Sequence, residues 1–220
     1  MLRELALRVL DVYAKLDNKV AHFALISSLR CPDGCGTCCQ SEKVEATVLE
    51  MLPLAFFLFE TNQAELLIKR IERGERGNQC ILYRQDFTLA GMWGCSQYHH
   101  RAVVCRLFGF SGNKDRTGRP QLAFCRQMKE KTVPASSPEQ LSGELLSAMP
   151  LFGEAGMMIT SLHPGFGTER KPINDAILEA LYKVGMHLSY VDSDAADKLN
   201  PDFPPGKPAA PAGGGKRKAA

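Results

Sequence analysis

The stretch "CPDGCGTCCQ", residues 31–40, places four of the chain's eight cysteines within nine consecutive positions. Its proline and two glycines exclude a regular helix through these residues, so the thiols lie on a loop. The spacing Cys31-x3-Cys35-x2-Cys38 lets one short loop wrap around a metal with little loop-closure entropy. The glycines also allow tight turns that aim backbone N–H groups at thiolate sulfurs. The spacing therefore favours metal ligation.

The remaining cysteines extend this grouping. Every cysteine of the chain falls within residues 31–125, and the last 95 residues contain none. Thiols that serve only as small buried apolar groups would be scattered, so we expect these eight to converge in space. The candidate metal ligands are Cys31, Cys35, Cys38, Cys39, Cys80, Cys95, Cys105 and Cys125.

Thiolates ligate both zinc and iron–sulfur clusters. We expect an iron–sulfur cluster, with four irons and four sulfides as the expected form, and structural zinc is the main alternative. Reduced buried thiols without metal, and a redox or disulfide role, are further alternatives. The eight thiols could build two sites of four or one site with spare thiols.

The same triplet spacing occurs in radical S-adenosylmethionine enzymes. Those enzymes usually carry an aromatic residue before the third cysteine, where this chain has Thr37. They also continue into repeated strand–helix units, which the sequence does not indicate. The spacing alone is therefore weak support for that chemistry.

Composition and charge limit the remaining classes. The formal net charge is +3, and the only basic run is "KRK" at 216–218, so there is no specific nucleic-acid signal. The longest apolar run, residues 51–59, is far shorter than the ~20 residues of a membrane-spanning helix. The N-terminal residues do not resemble a secretory signal. We expect a cytoplasmic protein with reduced thiols rather than a disulfide framework.

The apolar patterning predicts a mainly α-helical fold with an irregular cysteine-rich metal-binding centre and a few short strands. Residues 2–28 repeat apolar positions at helical spacing, and Pro53 should kink or split a helix over 44–59. Residues 79–111 favour short strands. Helices are expected over 137–192, with Asn174 as a cap of the last one. We expect one domain over 1–199 with its core motif at 31–125, and a disordered Pro/Ala/Gly/Lys tail at 200–220.

A second cysteine block lies downstream. Residues 95–108 read "CSQYHHRAVVCRLF". Together with "CPDGCGTCC", this block resembles the YkgJ-type CxxCxxCC family of zinc- or iron-chelating domains, with Cys80 and Cys125 matching its intermediate and late cysteines. Within the second block the matching residues are Cys95, Tyr98, Arg101, Cys105, Arg106 and Phe108. The chain departs from the pattern at Ala102, where the family usually has proline, and at Gln97, where it has an aliphatic residue.

The resemblance implies a metal- or cluster-binding domain and does not imply one reaction. Flagellin lysine methylases look similar in this domain. We therefore weigh three interpretations: an iron–sulfur protein for redox or cluster-dependent chemistry, a structural zinc-binding interaction module, and an enzyme resembling S-adenosylmethionine-dependent methylases. Whether the chain is an enzyme stays open, and its partner is an unidentified protein or redox partner.

Several other side chains accompany the cysteines. Arg101 and Arg106 flank Cys105, and their guanidinium groups could offset the negative charge of a thiolate-bound cluster. His99 and His100 are expected to be exposed or supporting rather than ligands, because the chain has thiols enough. Trp93 and Tyr98 could shield a cluster from water or belong to the core. Glu42, Glu45 and Glu50 are predicted to form a solvated helix face.

Overall fold

A computed structural model describes residues 1–31, 37–84, 94–123, 125, 128 and 143–191. The helices are α1 Leu2–Ser27, α2 Val48–Glu60, α3 Ala64–Glu72, α4 Val103–Leu107, α5 Gly143–Ala148, α6 Phe152–Leu162, α7 Pro164–Gly167 and α8 Ile173–Val191. The strands are β1 Glu45–Thr47, β2 Tyr83–Arg84, β3 Gly94–Cys95, β4 Gly112–Lys114, β5 Pro120–Leu122 and β6 Arg170–Pro172. Two 3₁₀ turns span Thr37–Gln40 and Tyr98–His100. The predicted fold class is confirmed.

Helix α2 lies at the centre of the core. Its residues are apolar on nearly every face, and ten of its thirteen are buried. A helix that is apolar all round must be covered on several sides, and α2 packs against both α1 and α8. The helix runs through Pro53 without interruption, so the predicted split of this segment is wrong.

Helix α1 is amphipathic, as its sequence predicts. It forms one continuous helix that buries the stripe Leu5, Ala6, Val9, Val12, Tyr13, Leu16 and Phe23. The buried stripe recurs at three- and four-residue intervals, as required of a helix with one face on the core. Near its C-terminal end, Phe23 belongs to a second, smaller apolar cluster with Leu29, Cys125, Met128 and Met149.

The described residues form three two-stranded antiparallel sheets, and the first of them joins segments that are distant in sequence. The first pairs Glu45 with Pro172 and so joins the start of α2 to the start of α8. The second pairs Tyr83 with Cys95, and the third pairs Gly112 with Leu122. Their strands have two or three residues each, so they connect helices and loops and do not form a layer of the core.

The start of α2 carries a complete capping box. The Thr47 side chain accepts a hydrogen bond from the Glu50 backbone N–H at 3.2 Å, and the Glu50 carboxylate accepts one from the Thr47 N–H at 2.7 Å. Glu50 is only 1% exposed, so the predicted solvated face is wrong for this residue. Glu42 and Glu45 are exposed, as expected.

No helix in the described part of the chain is long and apolar enough to cross a membrane. The predicted tail at 200–220 lies outside the described residues.

The close approach of β4 to β5 yields a stability prediction. A Cβ atom added at Gly112 would lie 2.0 Å from the backbone oxygen of Gln121. We expect Gly112→Ala to lower the free energy of unfolding by about 1–3 kcal/mol, because backbone cannot retreat as a side chain can. The matched control is Gly153→Ala in α6, where no atom lies within 4 Å of the added methyl.

Chemical denaturation of the two variants measures this difference. Gly153→Ala should leave stability unchanged or raise it by up to about 1 kcal/mol through helix propensity. Equal stability of the two variants would contradict the predicted backbone clash.

Candidate metal centre

Seven of the eight cysteines line one cavity of about 480 Å³. Its wall includes residues of the main core and of the smaller apolar cluster, so the cavity lies between the two. The thiols that line it are Cys31, Cys38, Cys39, Cys80, Cys95, Cys105 and Cys125. Cys35 lies outside the described residues. Thiols separated by as much as 94 positions in sequence therefore face one space.

The first thiol pair is anchored to the second sheet. Cys38 and Cys39 lie on the 3₁₀ turn Thr37–Gln40, and the Gln40 side-chain amide donates a hydrogen bond to the Tyr83 hydroxyl at 2.6 Å. Tyr83 pairs with Cys95 across the β2–β3 ladder. This contact therefore links the turn that carries Cys38 and Cys39 to the strand that carries Cys95.

A side chain from α8 fixes the turn that carries Cys80. The Asn174 side-chain oxygen accepts a hydrogen bond from the Ile81 N–H at 2.9 Å, and its amide donates to the carbonyls of Gly77 and Gln79 at 3.1 and 2.8 Å. Asn174 is the second residue of α8 rather than its cap, so the predicted capping role is wrong. Its side chain holds the Cys80 loop against the helical core instead.

Cys105 sits at the middle of α4, a helix of five residues. An isolated helix this short is unstable in water, so its position depends on tertiary contacts. At its start, the Glu50 carboxylate accepts a hydrogen bond from the Val103 N–H at 2.9 Å. Next to Cys105, Arg106 is 3% exposed, and its guanidinium contacts the Asp17 carboxylate on α1.

The residue before α4 keeps a conformation that proline would adopt. Ala102 has φ −61° and ψ 163°, and Arg101 before it has φ −65° and ψ 149°. Proline fixes φ near −65° and favours an extended residue before it. Within the described part of the chain, no hydrogen bond from the Ala102 N–H is found. The departure from the family's Arg-Pro pair therefore leaves the local backbone geometry intact.

This geometry predicts that Ala102→Pro stabilises the protein. A proline that fits the native backbone reduces the entropy of the unfolded chain, by about 0.4–1 kcal/mol. We expect a higher midpoint in thermal unfolding, with Ala123→Pro in an exposed loop as a comparison variant, because the Ala123 N–H donates to the Ser111 carbonyl and its loss is unfavourable. A lower midpoint for Ala102→Pro than for the wild type would contradict the prediction.

The thiols affect one another electrostatically. Burial raises the pKa of Cys80 to about 12, and it also raises the pKa values of Cys95 and Cys105. Cys38, Cys80 and Cys95 each add to the rise at Cys105, which places these four sulfurs within electrostatic range of one another. A cation or cluster in the cavity would favour deprotonation of all four.

The adjacent pair Cys38 and Cys39 behaves differently. A hydrogen bond from the Cys39 thiol, followed by the charge of Arg101, lowers the pKa of Cys38 to about 6 against the burial that opposes it. The same hydrogen bond and burial raise the pKa of Cys39 well above its ordinary value. The first proton therefore leaves the pair more easily than the second, and the charge of Arg101 favours Cys38 as the resulting thiolate.

A pH profile of alkylation tests this assignment. Thiolate is the nucleophile, so in the reduced, metal-free chain Cys38 should react with iodoacetamide at a rate that levels off above about pH 7, while Cys80 still gains reactivity in the alkaline range. Peptide mapping by mass spectrometry gives both profiles from the same sample. Arg101→Gln should move the Cys38 profile to higher pH. A wild-type Cys38 midpoint near the ~8.5 of a free cysteine would contradict the assignment.

The two arginines occupy different roles. The Arg101 guanidinium lies 3.7 Å from the centre of the Tyr98 ring and lines the cavity. Among the described residues, no group accepts a hydrogen bond from its buried Nε atom. A buried donor without a partner is costly, and an anionic group in the cavity would satisfy it. The positive charge of Arg101 also lowers the pKa values of Cys38, Cys95 and Cys105. This effect is smaller than that of the Cys39 hydrogen bond at Cys38 and that of burial at Cys95 and Cys105.

Arg106 lines the same cavity, but its donors serve the scaffold. Its Nε donates to the Arg101 carbonyl at 3.0 Å, and its two terminal nitrogens contact the Asp17 carboxylate and the His99 carbonyl. Its guanidinium also lies 3.9 Å from the centre of the Tyr13 ring. Arg106 therefore ties α4 to α1 and brings a positive charge, paired with Asp17, to the cavity wall.

Aromatic rings surround the site. His100 is buried, stacks on Phe57 with ring centres 4.6 Å apart, and has its pKa lowered to about 4 by burial. It is therefore neutral at pH 7. Tyr98 and Phe108 line the cavity while remaining 54% and 45% exposed, and His99 is exposed. Trp93 lies outside the described residues.

The donor atoms on the cavity wall have the chemistry that a thiophilic metal requires. Every cysteine that we predicted as a metal ligand and that the structure describes lines the cavity. Among the described side chains, no three of the types Cys, His, Asp and Glu form a group that could hold a metal ion directly. The Arg101 Nε, without a partner in the described part of the chain, suits an anionic sulfur-ligated centre, and so does the lowered pKa of Cys38.

Comparison with known families agrees with this chemistry. Residues 30–132 match the CxxCxxCC family, described as a "putative zinc- or iron-chelating domain". Residues 30–132 are a CxxCxxCC domain. The recognition made from the two cysteine blocks is thereby confirmed, and the domain contains all eight cysteines. No curated protein and no solved structure matches the chain.

Four supporting residues of the CxxCxxCC domain and its surroundings were missed by sequence reasoning. These are Gln40, Glu50, Tyr83 and Asn174, which hold the segments that carry the thiols. The pattern Thr47-x-x-Glu50 before an apolar run is a capping-box signature and could have indicated a buried Glu50. The partners of Asn174 lie more than 90 positions away, so no local pattern indicates its role.

Proposed function

We propose that the CxxCxxCC domain holds an iron–sulfur cluster and that the protein serves redox or cluster-dependent chemistry. The observation that carries the proposal is the convergence of seven cysteines on one cavity. Thiolates are the ordinary protein ligands of such clusters. The cavity also has apolar walls, which include Met51, Leu82 and Ile173. Such walls limit water access, one of the factors that set a cluster's potential.

The proposed ligands are the eight cysteines of the domain. Cys38, Cys80, Cys95 and Cys105 have the strongest support, because the first three each raise the pKa of Cys105. Cys39 shares its proton with Cys38 and would become available when that proton leaves. Cys31 and Cys125 line the same cavity.

Arg101 and Arg106 are proposed to offset the charge of the bound group. A cluster carried by four thiolates is anionic, and a nearby guanidinium stabilises it. The buried Nε of Arg101, which has no partner among the described residues, supports a direct hydrogen bond to that group. Arg106 would act through charge and packing, since its donors contact Asp17 and two backbone carbonyls.

An iron–sulfur cluster supplies one-electron transfer when bound. The chain's own residues would keep the ligands deprotonated, limit water and present an exposed edge at Tyr98 and Phe108. We propose an unidentified protein or redox partner and a cytoplasmic location, where the thiols of the domain would stay reduced. A methylase activity remains a prediction from resemblance.

Structural zinc is the second candidate, and the description of the family favours it equally with iron. Zinc would use four of the same thiolates and would contribute its binding energy to folding. Under this alternative, the exposed surface around the cavity would bind a partner and no electron transfer would occur.

Metal and sulfide analysis of anaerobically purified protein separates the two candidates. We expect brown protein that contains iron and an equal amount of acid-labile sulfide, with visible absorbance that bleaches on reduction. Colourless protein with stoichiometric zinc and no sulfide would contradict the iron–sulfur proposal and support the zinc module.

Cysteine variants test the ligand set. Cys95→Ser and Cys105→Ser should each lose most of the bound iron, because serine is a poor replacement for a thiolate ligand. Ser96→Ala, next to one of these ligands, is the matched control and should retain the wild-type iron content. Full iron retention in both cysteine variants would contradict the proposed ligands.

A further inference from the structure

Glu50 belongs to none of the cysteine motifs, yet it touches the helix that carries Cys105. We propose that Glu50 is a positioning residue for the metal centre: its carboxylate sets the place of α4 and thereby of the Cys105 sulfur. The inference rests on the proposed metal-binding function and adds a residue from the helical core to it.

The contacts of Glu50 join three segments. One carboxylate oxygen accepts from the Thr47 N–H at 2.7 Å, and the other accepts from the Val103 N–H at 2.9 Å. The Glu50 backbone carbonyl accepts a hydrogen bond from the Tyr13 hydroxyl at 2.7 Å. Glu50 therefore connects α1, the start of α2 and the start of α4 at one point.

The burial of this carboxylate makes the contact to Val103 important. Glu50 is 1% exposed, and no cation in the described part of the chain pairs with it. A buried carboxylate without a cation depends on hydrogen bonds from N–H donors. Only two such donors reach its oxygens among the described residues, and one of them belongs to α4.

Helix α4 in turn depends on Glu50. It has five residues, too few to be stable alone, and Val103 is its first residue. Cys105 follows two positions later, so a shift at Val103 moves the thiol relative to Cys80 and Cys95 in the same cavity. A capping box at α2 explains the bond to Thr47 but not the bond to Val103.

The experiment isolates the bond between Glu50 and Val103. Val103→Pro removes the donated N–H while proline suits the first position of a helix. Val103→Ala removes the same apolar side chain but keeps the N–H, so it is the matched control. The readout is the rate at which anaerobically purified full-length protein releases its metal to an excess of a competing chelator.

We expect Val103→Pro to release metal about tenfold or more faster than Val103→Ala, as the loss of a charge-assisted hydrogen bond predicts. In a Glu50→Gln background the ratio between the proline and alanine variants should become severalfold smaller, because the bond is already weakened. Equal release rates for the proline and alanine variants, or the same ratio in both backgrounds, would overturn the proposal.

A second readout does not require metal. In the reduced, metal-free chain, Glu50→Gln should raise the alkylation rate of Cys105 severalfold and leave that of Cys80, which depends on Asn174, near its wild-type rate. Glu45→Gln, an exposed change in the neighbouring strand, should alter neither rate. Equal increases at Cys80 and Cys105 would indicate general loosening and overturn a positioning role.

The two readouts separate the possible failures. Wild-type protein that purifies without metal would contradict the proposed function, while a selective gain at Cys105 would still support the action of Glu50 on α4. If Val103→Pro fails to fold by circular dichroism, Glu50→Gln alone carries the test through the alkylation rates of Cys105 and Cys80.

Discussion

The buried carboxylate of Glu50 accepts hydrogen bonds from Thr47 at the start of α2 and from Val103 at the start of α4. A buried charge of this kind is stable only while its N–H donors stay in place. The dependence is therefore mutual. The buried carboxylate on α2 is stabilised by the N–H at the start of α4, and the position of α4 is fixed by that carboxylate. Glu50 thereby links the packed helices α1 and α2 to α4, which carries Cys105 into the thiol-lined cavity.

The other thiol-bearing segments follow the same plan. Two of these segments are held by a polar side chain: Gln40 on the turn of Cys38 and Cys39 bonds to Tyr83, and Asn174 bonds to the Cys80 loop. Arg106 ties α4 to α1 through Asp17. Second-layer contacts of this kind orient metal ligands and tune their chemistry. The helices form the core, and hydrogen bonds from polar side chains fix the short segments that carry the cysteine sulfurs.

Much of this could be read from the sequence. The amphipathic spacing of α1, the concentration of cysteines within residues 31–125 and the two cysteine blocks predicted a helical metal-chelating domain. Glu50 and Asn174 could not be placed because their roles depend on partners 53 and more than 90 positions away. The split predicted at Pro53 was wrong, because burial of most of α2 outweighs the hydrogen bond that proline removes. Ala102 shows the reverse: the residue differs from the family pattern, but its backbone keeps the expected conformation.

X-ray absorption spectroscopy on anaerobically purified full-length protein tests the central claim most directly, because it identifies the metal and its nearest atoms together. The account predicts an iron edge, a first shell made of sulfur alone and a second shell of iron at short distance. A zinc edge without iron, or an iron shell dominated by nitrogen and oxygen, would contradict it.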